Sequence, residues 1–193
     1  MFFKLFKLSI SIIFLILSNL DMVVIKCDRI DFVVVARFAK VSEKQFNQDM
    51  IKLLNVYDAD YENIVIPARA TSGSAGYDFT SPIDFVLKPG EMIKVPTGIR
   101  CRIDEGYVLE IYPRSSIGFK YQTMLANTVG IIDSDYYNAD NEGHIIIALM
   151  NLGKKELVIK TGERFAQGLF KQYFLAEEEE VVSKRTGGFG STD

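Results

Sequence analysis

Four polar or glycine-rich segments and a glycine-rich tail carry the residues of this chain that could do chemistry. The first carboxylate pair of interest lies in residues 127–136, Asn-Thr-Val-Gly-Ile-Ile-Asp-Ser-Asp-Tyr. Asp133 and Asp135 are two residues apart and would point the same way on a strand. One could orient a water while the other held structure or metal; a hairpin with acidic turn residues would read the same way. Pro113-Arg114-Ser115-Ser116-Ile117-Gly118 sets a guanidinium beside two hydroxyls. That combination suits an oxyanion such as phosphate, through bidentate Arg contacts and exposed N–H donors, although Ser and Gly also mark plain turns. Ala75-Gly76-Tyr77-Asp78-Phe79 reads as a turn entering a strand. Gly162-Glu163-Arg164-Phe165-Ala166-Gln167 places Arg164 and Gln167 at the start of another, where they could simply face solvent. The tail from residue 186, Thr-Gly-Gly-Phe-Gly-Ser-Thr-Asp, taken alone is a flexible end.

Composition narrows what these segments can serve. The chain has 193 residues, 48% of them apolar, and a net charge of -3, enough for one domain with a core. The acidic balance argues against long nucleic acid as a main partner, because backbone binding leaves a basic surface. A nucleotide needs only a few local cations and N–H groups. The two cysteines, Cys27 and Cys101, lack metal-like spacing and do not make a disulfide framework. His144 is the only histidine, so it cannot alone build a metal site or a Ser-His-Asp triad.

Short strands must position these segments. Phe32-Val33-Val34-Val35, within residues 31–37, predicts a buried strand. Ser42 followed by Gln45 resembles a capping box. Phe46, Met50, Leu53, Leu54 and Tyr57 then share one helical face, which predicts a helix over 42–55, packed outside the domain as an insertion. From residue 64 the signals are β: Ile64-Val65-Ile66, then 85–87 and 92–95 around the turn Lys88-Pro89-Gly90-Glu91. Further strands are expected at 100–103, 107–112, 145–150, 157–159 and 165–174. Such regular short strands indicate a sandwich or jelly roll rather than βαβ units.

The two ends stand apart. Lys4 and Lys7 precede an apolar run over 8–17, the shape of a secretory signal but short for a membrane span. Ser18-Asn19-Leu20-Asp21 is a poor cleavage site, and Met22 offers an alternative start. Residues 1–21 are therefore either a targeting or anchoring segment or a product of start-site choice, and are left out of the fold. The acidic run 177–180 reads as solvated. The domain is expected over 22–182, with a flexible arm over 183–193.

Together and in this order, the five segments resemble the five motifs of the trimeric dUTPase family. Ala75-Gly76-Tyr77-Asp78 is similar to the first, Pro113-Arg114-Ser115-Ser116 to the second, and Gly130-Ile131-Ile132-Asp133-Ser134-Asp135-Tyr136 to the third. Gly162-Glu163-Arg164-Phe165-Ala166-Gln167 is similar to the fourth, and Arg185-Thr186-Gly187-Gly188-Phe189-Gly190-Ser191-Thr192 to the fifth. Each motif alone is weak; five in order are specific.

The resemblance implies a mostly β, dUTPase-like jelly roll (a distorted β-barrel) with one extra N-terminal helix. It implies a homotrimer with shared active sites, splitting dUTP into dUMP and pyrophosphate with Mg2+. Such an enzyme limits uracil in DNA and supplies dUMP for dTMP synthesis. Asp133 would be the catalytic carboxylate activating water against the α-phosphorus, braced by Arg164 through an ion pair. Asn127 and the backbone at Gly130 would read uracil, and Tyr136 would pack on the deoxyribose and exclude a 2′-hydroxyl. Arg114, Ser115, Ser116 and Gln167 would hold the triphosphate. From the tail, Arg185, Ser191 and Thr192 would reach the outer phosphates, Phe189 would stack on uracil, and Gly190 would belong to the same closing arm. Asp78 would hold the metal through water. The implied setting is cytoplasmic for the catalytic domain, with no stable membrane partner; the apolar N-terminal segment leaves a secretory or anchored form open.

This chain departs from the motif pattern after Tyr136, where Tyr137-Asn138-Ala139-Asp140-Asn141-Glu142 intervenes before Gly143. Two rival readings stand beside the hydrolase. A dCTP deaminase of the same fold would need an acid on the following strand, which reads Ile145-Ile146-Ile147-Ala148-Leu149-Met150-Asn151 without a carboxylate. A nucleotide-gated regulatory binding protein would not need Asp133.

Overall fold

A computed structural model describes residues 33–177 and 187–188 of the chain. The apolar segment 1–21, most of the acidic run, and Arg185, Phe189, Gly190, Ser191 and Thr192 lie outside the described residues. Among the described residues, no helix is long and apolar enough to cross a membrane.

In chain order the elements are β1 (Ala36–Lys40), α1 (Glu43–Leu54), β2 (Ala68–Arg69), β3 (Tyr77–Thr80), β4 (Phe85–Leu87), β5 (Met92–Pro96), β6 (Ile99–Ile103) and β7 (Tyr107–Pro113). They continue with α2 (Ser115–Tyr121), β8 (Thr123–Leu125), β9 (Gly130–Ile132), β10 (Ile146–Asn151), β11 (Leu157–Ile159) and β12 (Arg164–Gln172). The fold is thus mostly β, with antiparallel strands. The largest sheet runs in the order β2-β3-β12-β7-β9; a second runs β5-β10-β8; β1-β6 and β4-β11 form separate pairs.

Period-two patterning places the core. In the β4-β11 pair, Phe85, Leu87, Leu157 and Ile159 point inward while the partnered Val86 and Val158 stay exposed. Phe79, Leu109, Ile111 and Phe165 from the large sheet meet Val95, Ile147 and Leu149 from the second in one cluster. Gly168, in the middle of β12, leaves room for this packing: a Cβ there would lie 2.8 Å from a Leu109 methyl.

α1 belongs to this core rather than lying outside it. Phe46 and Met50 are fully buried and join the central cluster, which corrects the expectation of an external insertion. Its ends follow the sequence closely. The Ser42 hydroxyl accepts from the N–H of Gln45, and Asn55 closes the helix in the left-handed region. The capping box itself is only half present. The Gln45 side chain donates to Asp49 instead, and the Ser42 N–H donates to the carboxylate of Glu142, 100 residues away.

Two strand expectations are corrected: of residues 31–37, Ala36 and Arg37 enter β1 and 33–35 do not, Asp31 and Phe32 lying outside the described residues, and 64–66 form no strand. Val33 and Val34 are exposed, because β1 pairs with β6 only from Ala36, opposite Ile103. Beyond Ile103 the partner chain turns away through Asp104, whose N–H makes a last bond to Val35. Ile64-Val65-Ile66 is not a strand; it leaves a 3-10 turn at Tyr61–Asn63 and buries only Ile64.

Candidate active site

The described residues of the motif segments gather in two places. The first is a charged cluster at one end of the large sheet. Asp78 on β3 forms ion pairs with both flanking arginines: Oδ1 lies 3.2 Å from Nε of Arg114, and Oδ2 accepts from a terminal nitrogen of Arg164 at 3.0 Å. Gln167 sits directly across the ladder from Asp78. Its Nε2 approaches the Pro113 carbonyl at 3.5 Å, and its Oε1 fills the space beside Gly76 that a Cβ would need. The first, second and fourth motifs are therefore one construction, linked through Asp78 and Gln167.

Arg114 also caps a helix that the sequence reading missed. Ser115 and Ser116 are not in a plain turn; they open α2, whose first bonds run from Ile117 and Gly118 back to the Arg114 carbonyl. The first N–H groups of a helix have no partner within it and favour an anion. Arg114, Ser116 and Arg164 line a shallow hollow of about 380 Å3 with Lys120 and Gly162.

The second place is a deeper cleft of about 310 Å3. Asn127, Gly130, Asp133 and Tyr136 line it, with Ile111, Leu125 and the start of β10 as its apolar walls and Gly188 of the tail at its edge. β9 pairs with β7 through Gly130 opposite Ile111. A Cβ at Gly130 would lie 3.1 Å from that of Ile111, so glycine lets the strands close there. Asp133 then leaves β9 in an extended conformation and begins a 3-10 turn, Ser134–Asn138. That turn overrides the strand alternation expected for the two carboxylates. Asp133 lines the cleft, whereas Asp135 is exposed and does not.

The 3-10 turn also carries Tyr136 back into the wall. Its hydroxyl donates to the His144 carbonyl at 2.8 Å and accepts from Asn141 at the same distance. Gly188 packs on its ring: a Cβ there would stand 3.1 to 3.4 Å from the phenol atoms. The extra residues of the hairpin are held rather than loose. Arg100 stacks on Tyr137 at 3.7 Å and donates to its carbonyl. Gly143 then reverses the chain at φ 69, where a Cβ would meet the Tyr136 carbonyl at 2.6 Å, so this position requires glycine.

Within one chain Arg164 finds a different partner from the one the resemblance implies. Arg164 pairs with Asp78, not with Asp133. In the strand order β3-β12-β7-β9, Asp78 is on the neighbour of β12, while Asp133 follows a strand two places away, roughly 10 Å across the sheet. A bulge between Arg164 and Ala166 offsets the register on the β3 side. Sequence reasoning also passed over Asp49, Glu142 and His144 as contributors around Tyr136. Nothing local marks them; only their meeting in space does.

The donors fit a metal that arrives with its own oxygen ligands. Among the described residues, no group of three or more His, Cys, Asp or Glu side chains could cage one. Asp78 spends one oxygen on each arginine and retains acceptor capacity on both, enough for a water of a hydrated Mg2+.

Comparison with known proteins follows the same lines. A sequence model of the dUTPase family matches residues 62–193. The chain is 45% identical over 137 residues to the deoxyuridine 5'-triphosphate nucleotidohydrolase of Lactococcus lactis, covering 68% of this chain and 91% of that protein. Its fold matches the crystal structure of a dUTPase from Streptococcus mutans at a TM-score of 0.56 and 33% identity, over 72% of this chain and 98% of that one. A dUTPase of the S. aureus phage phi11, solved with a structural Mg(II) ion, matches at a TM-score of 0.56 over 78% of this chain and 98% of that one; at 20% identity this likeness shows the fold alone. With its motifs gathered into one charged cluster and one glycine-lined cleft, and with these relatives, the chain belongs to the dUTPase family.

Proposed function

We infer that this chain is a dUTP diphosphatase, hydrolysing dUTP to dUMP and pyrophosphate. The observation that carries this reading is the cleft in which Asn127, Gly130, Asp133 and Tyr136 share one wall system beneath Gly188 of the tail. Such a cleft suits a flat, polar-edged base at the Asn127–Gly130 end. Tyr136, 5% exposed and bonded at its hydroxyl, offers an apolar ring to a sugar. A filled surface with no partner for an extra hydroxyl favours deoxyribose over ribose.

Asp133 at the rim is the general base. Its carboxylate accepts the proton of a water and aims the oxygen at the α-phosphorus. Arg114, Ser115, Ser116 and Gln167 hold the phosphates, with Arg185, Ser191 and Thr192 of the arm adding to the outer ones and Phe189 and Gly190 covering the base. Arg164 keeps Asp78 and, through it, Arg114 in place. Bound Mg2+ would neutralise phosphate charge and set the triphosphate geometry, and Asp78 would hold it through water. The phage relative's structural Mg(II) is in keeping with a metal in this fold.

The resemblance to trimeric dUTPases supports an assembly with shared sites. Within one chain the Asp133 cleft is not lined by Arg114 or Ser116, the residues the resemblance assigns to the phosphates. We assign a homotrimer on that resemblance, in which one subunit's Asp133 cleft is completed by a neighbour's Arg114–Ser116 segment. The catalytic domain is assigned to the cytoplasm, where hydrolysis would keep uracil out of DNA and provide dUMP. The test is pyrophosphate release by the purified chain from dUTP, dTTP, dCTP and UTP with Mg2+, together with the mass of the assembly. Hydrolysis confined to dUTP by a trimer is expected; an oligomer that leaves dUTP intact overturns the reading.

A further inference from the structure

The residue that anchors Tyr136 is tied in turn to an element outside the family's matched residues. His144, whose carbonyl accepts the Tyr136 hydroxyl, is fully buried. Its Nε2 accepts from the N–H of Gly98 at 2.8 Å, which leaves the ring proton on Nδ1. That Nδ1–H donates to Oδ2 of Asp49 on α1 at 2.6 Å. The same Asp49 oxygen accepts from Gln45 at 2.9 Å. A second link runs beside the first: the N–H and hydroxyl of Ser42 both donate to the Glu142 carboxylate, at 2.8 and 2.6 Å. α1 spans Glu43–Leu54, whereas the family match begins at residue 62.

We propose that Asp49 is a positioning residue of the active site, which through His144 fixes the height of the Tyr136 ring and so sets the preference for deoxyribose over ribose. The geometry leaves few alternatives for the proton on His144. A buried ring N–H without an acceptor is costly, so the ring would turn or shift when Asp49 is removed. His144 cannot shift without moving its own carbonyl, and that carbonyl is the acceptor of the Tyr136 hydroxyl. Gly143, restricted by the Tyr136 and Tyr137 backbone on its other side, passes the displacement on. A ring displaced from the wall makes room for a 2′-hydroxyl and loses contact with the correct sugar. This inference rests on the reading of Tyr136 as the sugar-facing residue.

Initial rates of the full-length chain with dUTP and with UTP, at saturating Mg2+, test it. Asp49→Ala should raise KM for dUTP about tenfold and lower the dUTP-over-UTP ratio of kcat/KM by about the same factor, with kcat for dUTP within about threefold of wild type. Asp49→Asn, whose amide oxygen can still accept from Nδ1–H, should restore both. Tyr136→Phe, which cuts the other end of the chain of bonds and leaves α1 packed, should shift preference in the same direction. A uniform loss of kcat for Asp49→Ala with unchanged KM and preference would make Asp49 merely structural and overturn the proposal. If Asp49→Ala does not fold, a Tyr136→Phe enzyme of wild-type preference overturns it equally. Tyr136→Ala separates the two layers. Should it keep wild-type preference, the sugar-facing reading fails and the brace with it; should it lose preference while Asp49→Ala keeps it, only the brace fails.

Discussion

Oδ2 of Asp78 lies 3.0 Å from the guanidinium of Arg164 across the β3–β12 ladder, and its other oxygen is taken by Arg114. One carboxylate thus orients two of the cations that line the hollow beside α2, and its removal should be felt in substrate binding before it is felt in folding.

Asp78→Ala is expected to raise KM for dUTP roughly fivefold and to increase the Mg2+ concentration needed for half-maximal rate. Both arginines are partly exposed, so water screens the pairs and the stability loss should stay near about 1 kcal/mol. Initial rates across a MgCl2 titration, with thermal melts alongside, check this. An unchanged KM would remove Asp78 and its arginines from the phosphate site.

Asp133→Asn keeps the size and extended backbone of the cleft residue but cannot take a proton. The expected result is a loss in kcat of about 10^2 to 10^4 with dUTP binding retained by calorimetry. Full turnover by this variant would place the base elsewhere.

Phe46→Ala removes a fully buried ring from α1. The cost should be about 3 to 5 kcal/mol, read from urea midpoints at one fixed protein concentration because assembly contributes to stability. A change under about 1 kcal/mol would mean that the helix is peripheral.

The links between α1 and the hairpin make the fold acid-sensitive. Burial opposes the charge on Asp49, yet the hydrogen bonds from His144 and Gln45 outweigh it and hold the carboxyl below its ordinary 3.8. The Ser42 hydroxyl and N–H likewise hold Glu142 below its ordinary 4.5. Both groups bind fewer protons when folded, so their contribution is complete above those ordinary values. It is lost as pH falls through the lower folded values. Glu142→Gln should therefore melt below wild type at pH 7, and the gap should narrow as pH falls from 4.5 towards 3. A gap independent of pH would show that the charge on Glu142 does not matter.

Much of the architecture was legible because it is written locally. The strand bounds at Phe85–Leu87 and Leu157–Ile159 followed from alternation and turn residues. The start of the helix followed from the Ser42 hydroxyl cap and its course from one apolar face, whereas its left-handed stop at Asn55 was seen only in the structure. The candidate site residues were named from the resemblance of five ordered motifs; among those described, Asp78, Arg114, Arg164 and Gln167 meet in the charged cluster, and Asn127, Gly130, Asp133 and Tyr136 line the cleft.

Pairing in space was not legible, because it depends on which strands become neighbours. The sequence by itself determined the chemical groups present: one carboxylate at 133, a guanidinium beside two serines, a glycine-rich arm. Only the tertiary structure decided that Arg164 faces Asp78, since β12 adjoins β3 and not β9. Likewise a valine-rich stretch at 33–34 stays exposed because β6 ends before reaching it. And a histidine whose ring has no partner in its own segment became the joint between helix α1 and the tyrosine of the cleft, because hydrogen bonds between residues 95 apart exist only once the fold has closed around them.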